Sequence, residues 1–405
     1  MRRIPIFTFL LVILLSVVSC SGQTAQVAVS NVDYESVDIP ITVGAERTTA
    51  YFTQLRGKKI GMVVNQTSRI GSISTVDSLL GAGIEVVRIF SPEHGFRGNA
   101  DAGEMVKNGE DMQTGLPIIS LYGKNKKPTA KQFAGLDLIL FDIQDVGARF
   151  YTYISTMHYV MQTCAEAGIP LMILDRPNPN GNFVDGPIME EKHMSFVGLH
   201  PVPIVHGMTV GEYAKMINGE GWLGDGLRCE LNIVKCENYT HEKKYTLPVK
   251  PSPNLPNNLS IYLYPSLCLF EGTSVSIGRG TDKQFQVIGC PGSKIGDYKF
   301  TPSSKPGAMN PKFKGEQCIG FDLSNENEEA LRNRNNISLA YLIDFYQNAE
   351  DRDKFFNPFF TSLVGTKDLQ DQIEKGMTAA EIKSTWHNGL NDFKEIRSKY
   401  LLYPQ

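Results

Sequence analysis

The sequence predicts an α/β protein, a mostly parallel sheet domain followed by a smaller α+β domain. Three observations carry this expectation. Strand and helix signals alternate between Lys58 and Pro203, as they do where helices cover both faces of a parallel sheet. Five apolar strand runs each stop in a polar or aromatic turn. From Cys229 onward the alternation gives way to a proline-rich stretch and then to short strands mixed with helices. Beyond the first 46 residues lie roughly 360 of ordinary globular composition, more than one usual core, so two domains are expected at 47–262 and 263–405.

The first twenty residues stand outside that fold. Arg2 and Arg3 precede an apolar run over 4–18, too short and too one-sidedly charged for a good spanning helix, which reads as a secretory signal. Its end, Val17-Val18-Ser19-Cys20, resembles a bacterial lipobox, whose cysteine is diacylated and becomes the mature N-terminus. The alternative is a simple signal peptide cut elsewhere, with Cys20 an incidental thiol. On the lipobox reading, residues 1–20 are a lipoprotein signal, residues 21–46 a tether, and the exported protein hangs by lipid from a periplasmic or outer membrane surface.

The elements of the sheet follow in order. Residues 59–64 form a strand ending at Asn65-Gln66-Thr67, and 76–82 a short helix closed by Gly83. The run 84–90 is the next strand, stopping in Ser91-Pro92-Glu93-His94-Gly95-Phe96-Arg97-Gly98. A third strand, 116–121, ends at Tyr122-Gly123, and a fourth, 136–141, at Asp142-Ile143-Gln144-Asp145-Val146-Gly147. Ile154, Met157, Met161 and Cys164 recur at helical spacing until Gly168 stops the helix. The fifth strand, 170–174, ends at Asp175-Arg176-Pro177-Asn178-Pro179-Asn180-Gly181. In open α/β sheets ligands bind at the carboxyl ends of the strands. Five such ends on one edge are expected to line one cleft, although Asp and Asn also cap helices and Gly and Pro also form turns. The turn after the second strand is the most informative, because a carboxyl beside an imidazole is equipment for proton transfer. Glu93 is therefore the leading catalytic candidate.

Composition and missing motifs exclude several classes. The chain carries 40 Lys+Arg against 43 Asp+Glu; without residues 1–19, which hold two arginines and no acid, the balance is 38 against 43, a formal charge of −5 that suggests no nucleic-acid partner. No GxGxxG or GxxxxGK[ST] follows a strand, which argues against a dinucleotide cofactor and a P-loop, and no GxSxG elbow marks a serine hydrolase. A metal site could draw on His94, Asp142, Asp145 and His206, but no HxH, HExxH or DxH pair appears in these blocks, and neither metal nor cofactor is expected. Beyond Cys20 there are six cysteines; a bridge between Cys229 and Cys236 and a set of buried free thiols are both open.

Prolines at 248, 251, 253 and 256 forbid helix or central strand there, leaving either a plain linker or an extended crossing segment whose Asn254 faces the cleft. Further on, Ser276-Ile277-Gly278-Arg279-Gly280-Thr281 sets a guanidinium between glycines, so that backbone can approach a ligand while Arg279 grips an anion. The alternative is that Arg279 pairs with a structural carboxylate. The remainder mixes short strands with helices near 338–346, 367–376 and 379–386.

Four blocks together resemble a known family. Ser91-Pro-Glu-His-Gly-Phe-Arg-Gly, Phe141-Asp-Ile-Gln-Asp-Val-Gly-Ala-Arg149-Phe-Tyr-Thr-Tyr153, Asp175-Arg-Pro-Asn-Pro-Asn-Gly181 and Glu271-Gly-Thr-Ser-Val-Ser-Ile-Gly-Arg-Gly-Thr281 are similar, in order and spacing, to the signature blocks of the NamZ-type exo-β-N-acetylmuramidases. The likeness runs from about residue 50 to the C-terminus. It implies a Rossmann-like N-terminal domain bearing the cleft, a smaller C-terminal domain, and release of N-acetylmuramic acid from non-reducing ends of peptidoglycan fragments. It also places the family's catalytic glutamate on Glu93, as the acid that protonates the leaving oxygen. Asp142, Asp145, Asp175 and Glu271 are all open as the second group. His94 either tunes Glu93 or binds the sugar, the plain alternative being a capping or core histidine.

The implied sugar carries a lactyl carboxylate, which calls for a cation, best an arginine with its bidentate fork. Arg279 is the first choice, with Arg149 and Arg176 behind it. Tyr122, Tyr151 and Tyr153 suit stacking on the ring, and Asn65, Asn180, His206 and Asn254 complete the expected binding groups. Two rivals remain, a metal-dependent hydrolase built on His94, Asp142 and His206, and a non-catalytic lipoprotein that captures muropeptides.

Overall fold

The apolar runs become strands of one sheet in the computed structural model, which describes residues 39–93, 95–97 and 109–405; Cys20, His94 and residues 21–38 of the expected tether lie outside them. The tether's last residues instead belong to the fold, Thr42 bridging to Glu237 and Val43 and Ala45 packing in the core. Strand β1 (Ile60–Val64) is followed by a small hairpin of β2 (Arg69–Ile70) and β3 (Ile73–Ser74), then by β4 (Val86–Ser91), β5 (Gly109–Glu110), β6 (Pro117–Ser120), β7 (Leu138–Asp142), β8 (Leu171–Leu174) and β9 (Leu231–Val234). The main sheet runs β5-β6-β4-β1-β7-β8-β9 and is parallel except where the edge strand β5 meets β6. Leaving out β5, the chain fills the sheet outward from β1 in one direction and then in the other, the doubly wound Rossmann order.

Side chains alternate across this sheet with period two, and each face has its own core. Ile60, Met62, Val64, Leu138, Leu140, Met172 and Leu174 face one side, against Tyr51, Leu55, Val76 and Leu79. Val63, Phe90, Ile139, Phe141, Leu171 and Ile173 face the other, where the helices Tyr153–Ala167 and Val210–Gly219 pack. Gly168 ends the first of these helices in the left-handed conformation (φ 65°), the stop expected from sequence. The second starts in a capping box, Thr209 bonding the Glu212 backbone while Glu212 bonds back at 2.9 Å.

The second core does not stop at the sheet. It continues through Leu255, Phe270 and Phe285 to Phe360 and Phe393, so residues Pro40–Gln405 pack as one compact unit. Its smaller part holds an antiparallel sheet, β10 (Val287–Cys290), β12 (Cys318–Asp322) and β11 (Tyr298–Phe300), with helices from Ala340–Gln347 to His387–Ser398. Buried hydrogen bonds bind it to the sheet domain, among them those of Arg149 and Tyr403. Arg149 donates to Leu363 O at 3.0 Å and Val364 O at 2.6 Å, and Tyr403 Oη donates to Asp175 Oδ2 at 2.6 Å. The six described cysteines are free thiols, Cys229 and Cys236 standing unbridged on either side of β9. Among the described residues no helix is long and apolar enough to cross a membrane.

Candidate active site

Parallel strands bring their ends to one edge: Val64 stands opposite Asp142, and Ser91 opposite Ser120. The five ends nevertheless do not share one cleft. Those of β1, β7 and β8 close on one another. Arg176 Nε donates to Asp142 Oδ1 at 2.6 Å, and Thr75 Oγ1 donates to Asp142 Oδ2 at 2.6 Å. Asp175 accepts from Thr209 Oγ1 at 2.7 Å, Gly211 N at 2.9 Å and Tyr403. Charges this deeply buried persist only when bonded on every side, so these residues fasten chain to chain. Burial still pushes the Asp175 carboxyl up to about 6, against the lowering effect of its donors.

What stays open is the ground beyond β4 and β6. There a cleft of about 620 Å³ is lined by Glu93, Tyr122 and Lys126, by 150–153 with 195–197, and from the other side by Ser252, Asn254, Tyr264, Glu271, Arg279, Phe285 and Phe359. Within that lining the carboxylates are Glu93 and Glu271, one from each part of the molecule.

The turn after β6 sets the first side. Gly123 takes φ +67°, and Asn125 Nδ2 donates back to Ser120 O at 2.7 Å, which aims Tyr122 at Glu93. Burial first, then the Glu93 carboxylate with which it shares a hydrogen bond, pushes the Tyr122 phenol up to about 12. Tyr153 Oη reaches Glu93 O at 3.5 Å and is raised by the same causes, burial leading. An edge-to-face series, Tyr153 to Tyr151 at 4.9 Å, Tyr151 to Tyr264 at 6.0 Å and Tyr264 to Phe285 at 5.0 Å, forms the wall joining the two sides. Burial raises Tyr151 and Tyr264 well above the usual phenol range. All four phenols thus stay protonated at neutral pH and serve as donors and flat apolar faces, not as bases.

On the far side Arg279 Nε donates to Glu271 Oε1 at 2.5 Å, and the guanidinium lies 5.2 Å over Phe285. Partial burial disfavours its charge, but Glu271 outweighs that and raises the guanidinium further. Lys312 Nζ sits behind, bonded to Phe270 O, Thr273 O and Val275 O. Asn357 caps the helix Pro358–Val364 by accepting from Phe359 N, which leaves Phe359, 43 % exposed, at the rim.

The sequence-derived candidates therefore separate. Glu93, Tyr122, Tyr151, Tyr153, Asn254, Glu271 and Arg279 line the cleft. Asn254 belongs to the proline-rich segment, where its Nδ2 donates to Gly307 O at 2.8 Å. Asp142, Asp175 and Arg176 lie in the closed network, and Asn180 Nδ2 donates to Val146 O at 2.8 Å. Arg149, fully buried, also donates to Pro187 O and Val202 O; burial lowers its guanidinium to about 9. Asn65 accepts from Thr67 and touches Tyr153 from beneath the wall. Asp145 and His206 lie deeper still, with Asp145 Oδ2 3.8 Å from His206 Nε2. Burial raises Asp145 to about 7 and lowers His206 to about 3, the latter aided by Arg397 and Arg149. Among the described residues no group of three or more His, Cys, Asp or Glu is placed to hold a metal.

Lys126, Phe196, Tyr264, Phe285 and Phe359 line the cleft without having been signalled by sequence. Lys126 sits in Lys124-Asn125-Lys126-Lys127, which reads as a solvated charge run. Its distance of four residues from the Tyr122 strand end was the available clue.

Comparison with known proteins agrees over most of the chain. Residues 60–259 match the family described as exo-beta-N-acetylmuramidase NamZ, N-terminal, and 262–403 its C-terminal counterpart. The peptidoglycan beta-N-acetylmuramidase NamZ of Bacillus subtilis is 39% identical over 374 residues, 87% of this chain and 89% of that protein. A crystal structure of a DUF1343 family protein from Bacteroides fragilis superposes with TM-score 0.85 at 48% identity, covering 91% of this chain and 100% of that one. A second such protein from the same organism gives 0.73 at 27%, covering 90% and 99%.

Proposed function

Because the chain belongs to the NamZ family of exo-β-N-acetylmuramidases, we propose that it is a glycoside hydrolase releasing N-acetylmuramic acid from non-reducing ends of peptidoglycan fragments, with Glu93 as general acid. The observation that carries this reading is the pairing of Glu93 and Glu271 across a cleft of sugar size walled by aromatic rings. Breaking a glycosidic bond needs a proton on the departing oxygen and a second group facing the positive charge that develops on the sugar. Glu93, oriented by Tyr122 and held near the Tyr153 hydroxyl, suits the first task. Glu271, fixed at 2.5 Å by Arg279, suits the second. The tyrosine wall offers faces for the pyranose and, being protonated, donors for its hydroxyls and acetamide.

The anchoring by Cys20 belongs to the same proposal, on the strength of Val17-Val18-Ser19-Cys20 closing an apolar run after two arginines. A test of the activity is turnover of a chromogenic N-acetyl-β-muramide beside the N-acetylglucosaminide, each with and without a strong chelator. Preferential, chelator-resistant release from the muramide is expected. Activity abolished by chelator would favour the metal-dependent rival, and binding of muramides without turnover would favour the capture protein.

A further inference from the structure

We propose that Lys126, held over the ring of Phe196, is the residue that binds the substrate's carboxylate and so sets the preference for an acidic amino sugar. The inference rests on the hydrolase reading above. Three cations in or beside the cleft can be compared. Arg279 already holds Glu271 at 2.5 Å, a pair with no net charge to offer. Lys127 is paired with Glu166 at 2.7 Å. Lys126 lies between them in character but not in pairing: its ammonium sits 4.1 Å from the Phe196 ring centroid, and among the described residues no carboxylate is bonded to it.

An aromatic face attracts an ammonium without neutralising it. The ring covers one side of Nζ, and the remaining N–H donors stay available to a ligand in the cleft that both residues line. The ring is itself fixed, stacked on Tyr159 at 6.2 Å and 5° from parallel, and Tyr159 belongs to the helix Tyr153–Ala167 that begins in the tyrosine wall. From the other side the turn that carries Lys126 is closed by Asn125 N to Tyr122 O at 3.3 Å, and Tyr122 is bonded to Glu93. One turn therefore carries both the ammonium and the phenol that bonds the acid. A substrate with a carboxylate close to its scissile oxygen meets both; a neutral sugar meets only the acid.

The carboxylate has two possible sources, the lactyl ether of the sugar or a peptide attached to it. The test compares wild type, Lys126→Met and Lys126→Arg on an aryl N-acetyl-β-muramide, on its lactyl methylamide, and on the same glycoside amidated with a dipeptide that ends in a free carboxylate. Lys126→Met should lower the ratio of kcat/KM for the acid to that for the methylamide by about 10- to 100-fold, the range expected when a partly desolvated carboxylate loses its partner, and Lys126→Arg should restore part of it. A ratio that falls only for the dipeptide glycoside assigns the peptide carboxylate. Unchanged ratios for both acids overturn the proposal. Should wild type turn over none of these glycosides, the hydrolase reading fails by itself, and calorimetric binding of N-acetylmuramic acid against N-acetylglucosamine still decides whether Lys126 reads the carboxylate.

Discussion

Asp145→Asn separates a buried structural carboxyl from a catalytic one. Asp145 is 3 % exposed and lies behind the tyrosine wall, where Gly147 N donates to its Oδ2 at 2.6 Å. Burial raises it from 3.8 to about 7, against the lowering effect of the Gly147 and Val146 amides. A carboxyl raised on folding contributes stability that is whole below its unfolded value and is lost as pH rises through its folded one. Three units at 1.36 kcal/mol each give about 4 kcal/mol in all, of which about 3 kcal/mol falls between pH 5 and 8. His206 beside it is lowered to about 3 and stays neutral throughout that window, so the difference between the two proteins belongs to Asp145. Urea unfolding of wild type and Asp145→Asn should give curves of stability against pH that diverge, the variant gaining about 3 kcal/mol relative to wild type from pH 5 to 8. Parallel curves would refute the reasoning. A carboxyl sealed behind Tyr151 and Tyr153 has no route to the sugar, so turnover should persist; a folded variant without turnover would instead make Asp145 part of the chemistry.

Two further outcomes are expected. Arg279→Ala frees Glu271 from its partner at 2.5 Å and should cost about 2–4 kcal/mol of transition-state binding on muramide and glucosaminide alike; a loss confined to the muramide in kcat/KM would return the lactyl carboxylate to Arg279. Cys20→Ala should shift the protein from the membrane to the soluble fraction on cell fractionation, and a wild type already soluble with an unmodified N-terminus would contradict the lipid anchor.

The sheet was legible because buried parallel strands are apolar runs with abrupt ends: the run 136–141 became β7 over Leu138–Asp142, and Gly168 closed its helix as expected. The cleft was legible only in part. Strand ends announce polar groups but not what meets them, and whether Asp142 faces a ligand or Arg176 depends on a loop 34 residues further along the chain. Arg149 shows the same limit, since the four carbonyls it satisfies come from 187, 202, 363 and 364. Glu93 and Tyr122 were readable because each follows its strand by two residues, before the chain has room to turn away. Phe196 and Phe359 reach the cleft through long-range packing and carry no local signal.

The most direct measurement of the central claim is turnover of a muramyl disaccharide by Glu93→Gln, beside an aryl muramide whose leaving group needs little protonation. Gln is nearly isosteric and can keep a hydrogen bond to Tyr122, so fold and binding should persist while the proton donor is gone. The disaccharide rate should fall by about 10²–10⁴, and the aryl glycoside rate by distinctly less. Near wild-type turnover of the disaccharide would place the acid on another carboxyl and contradict the role assigned to Glu93.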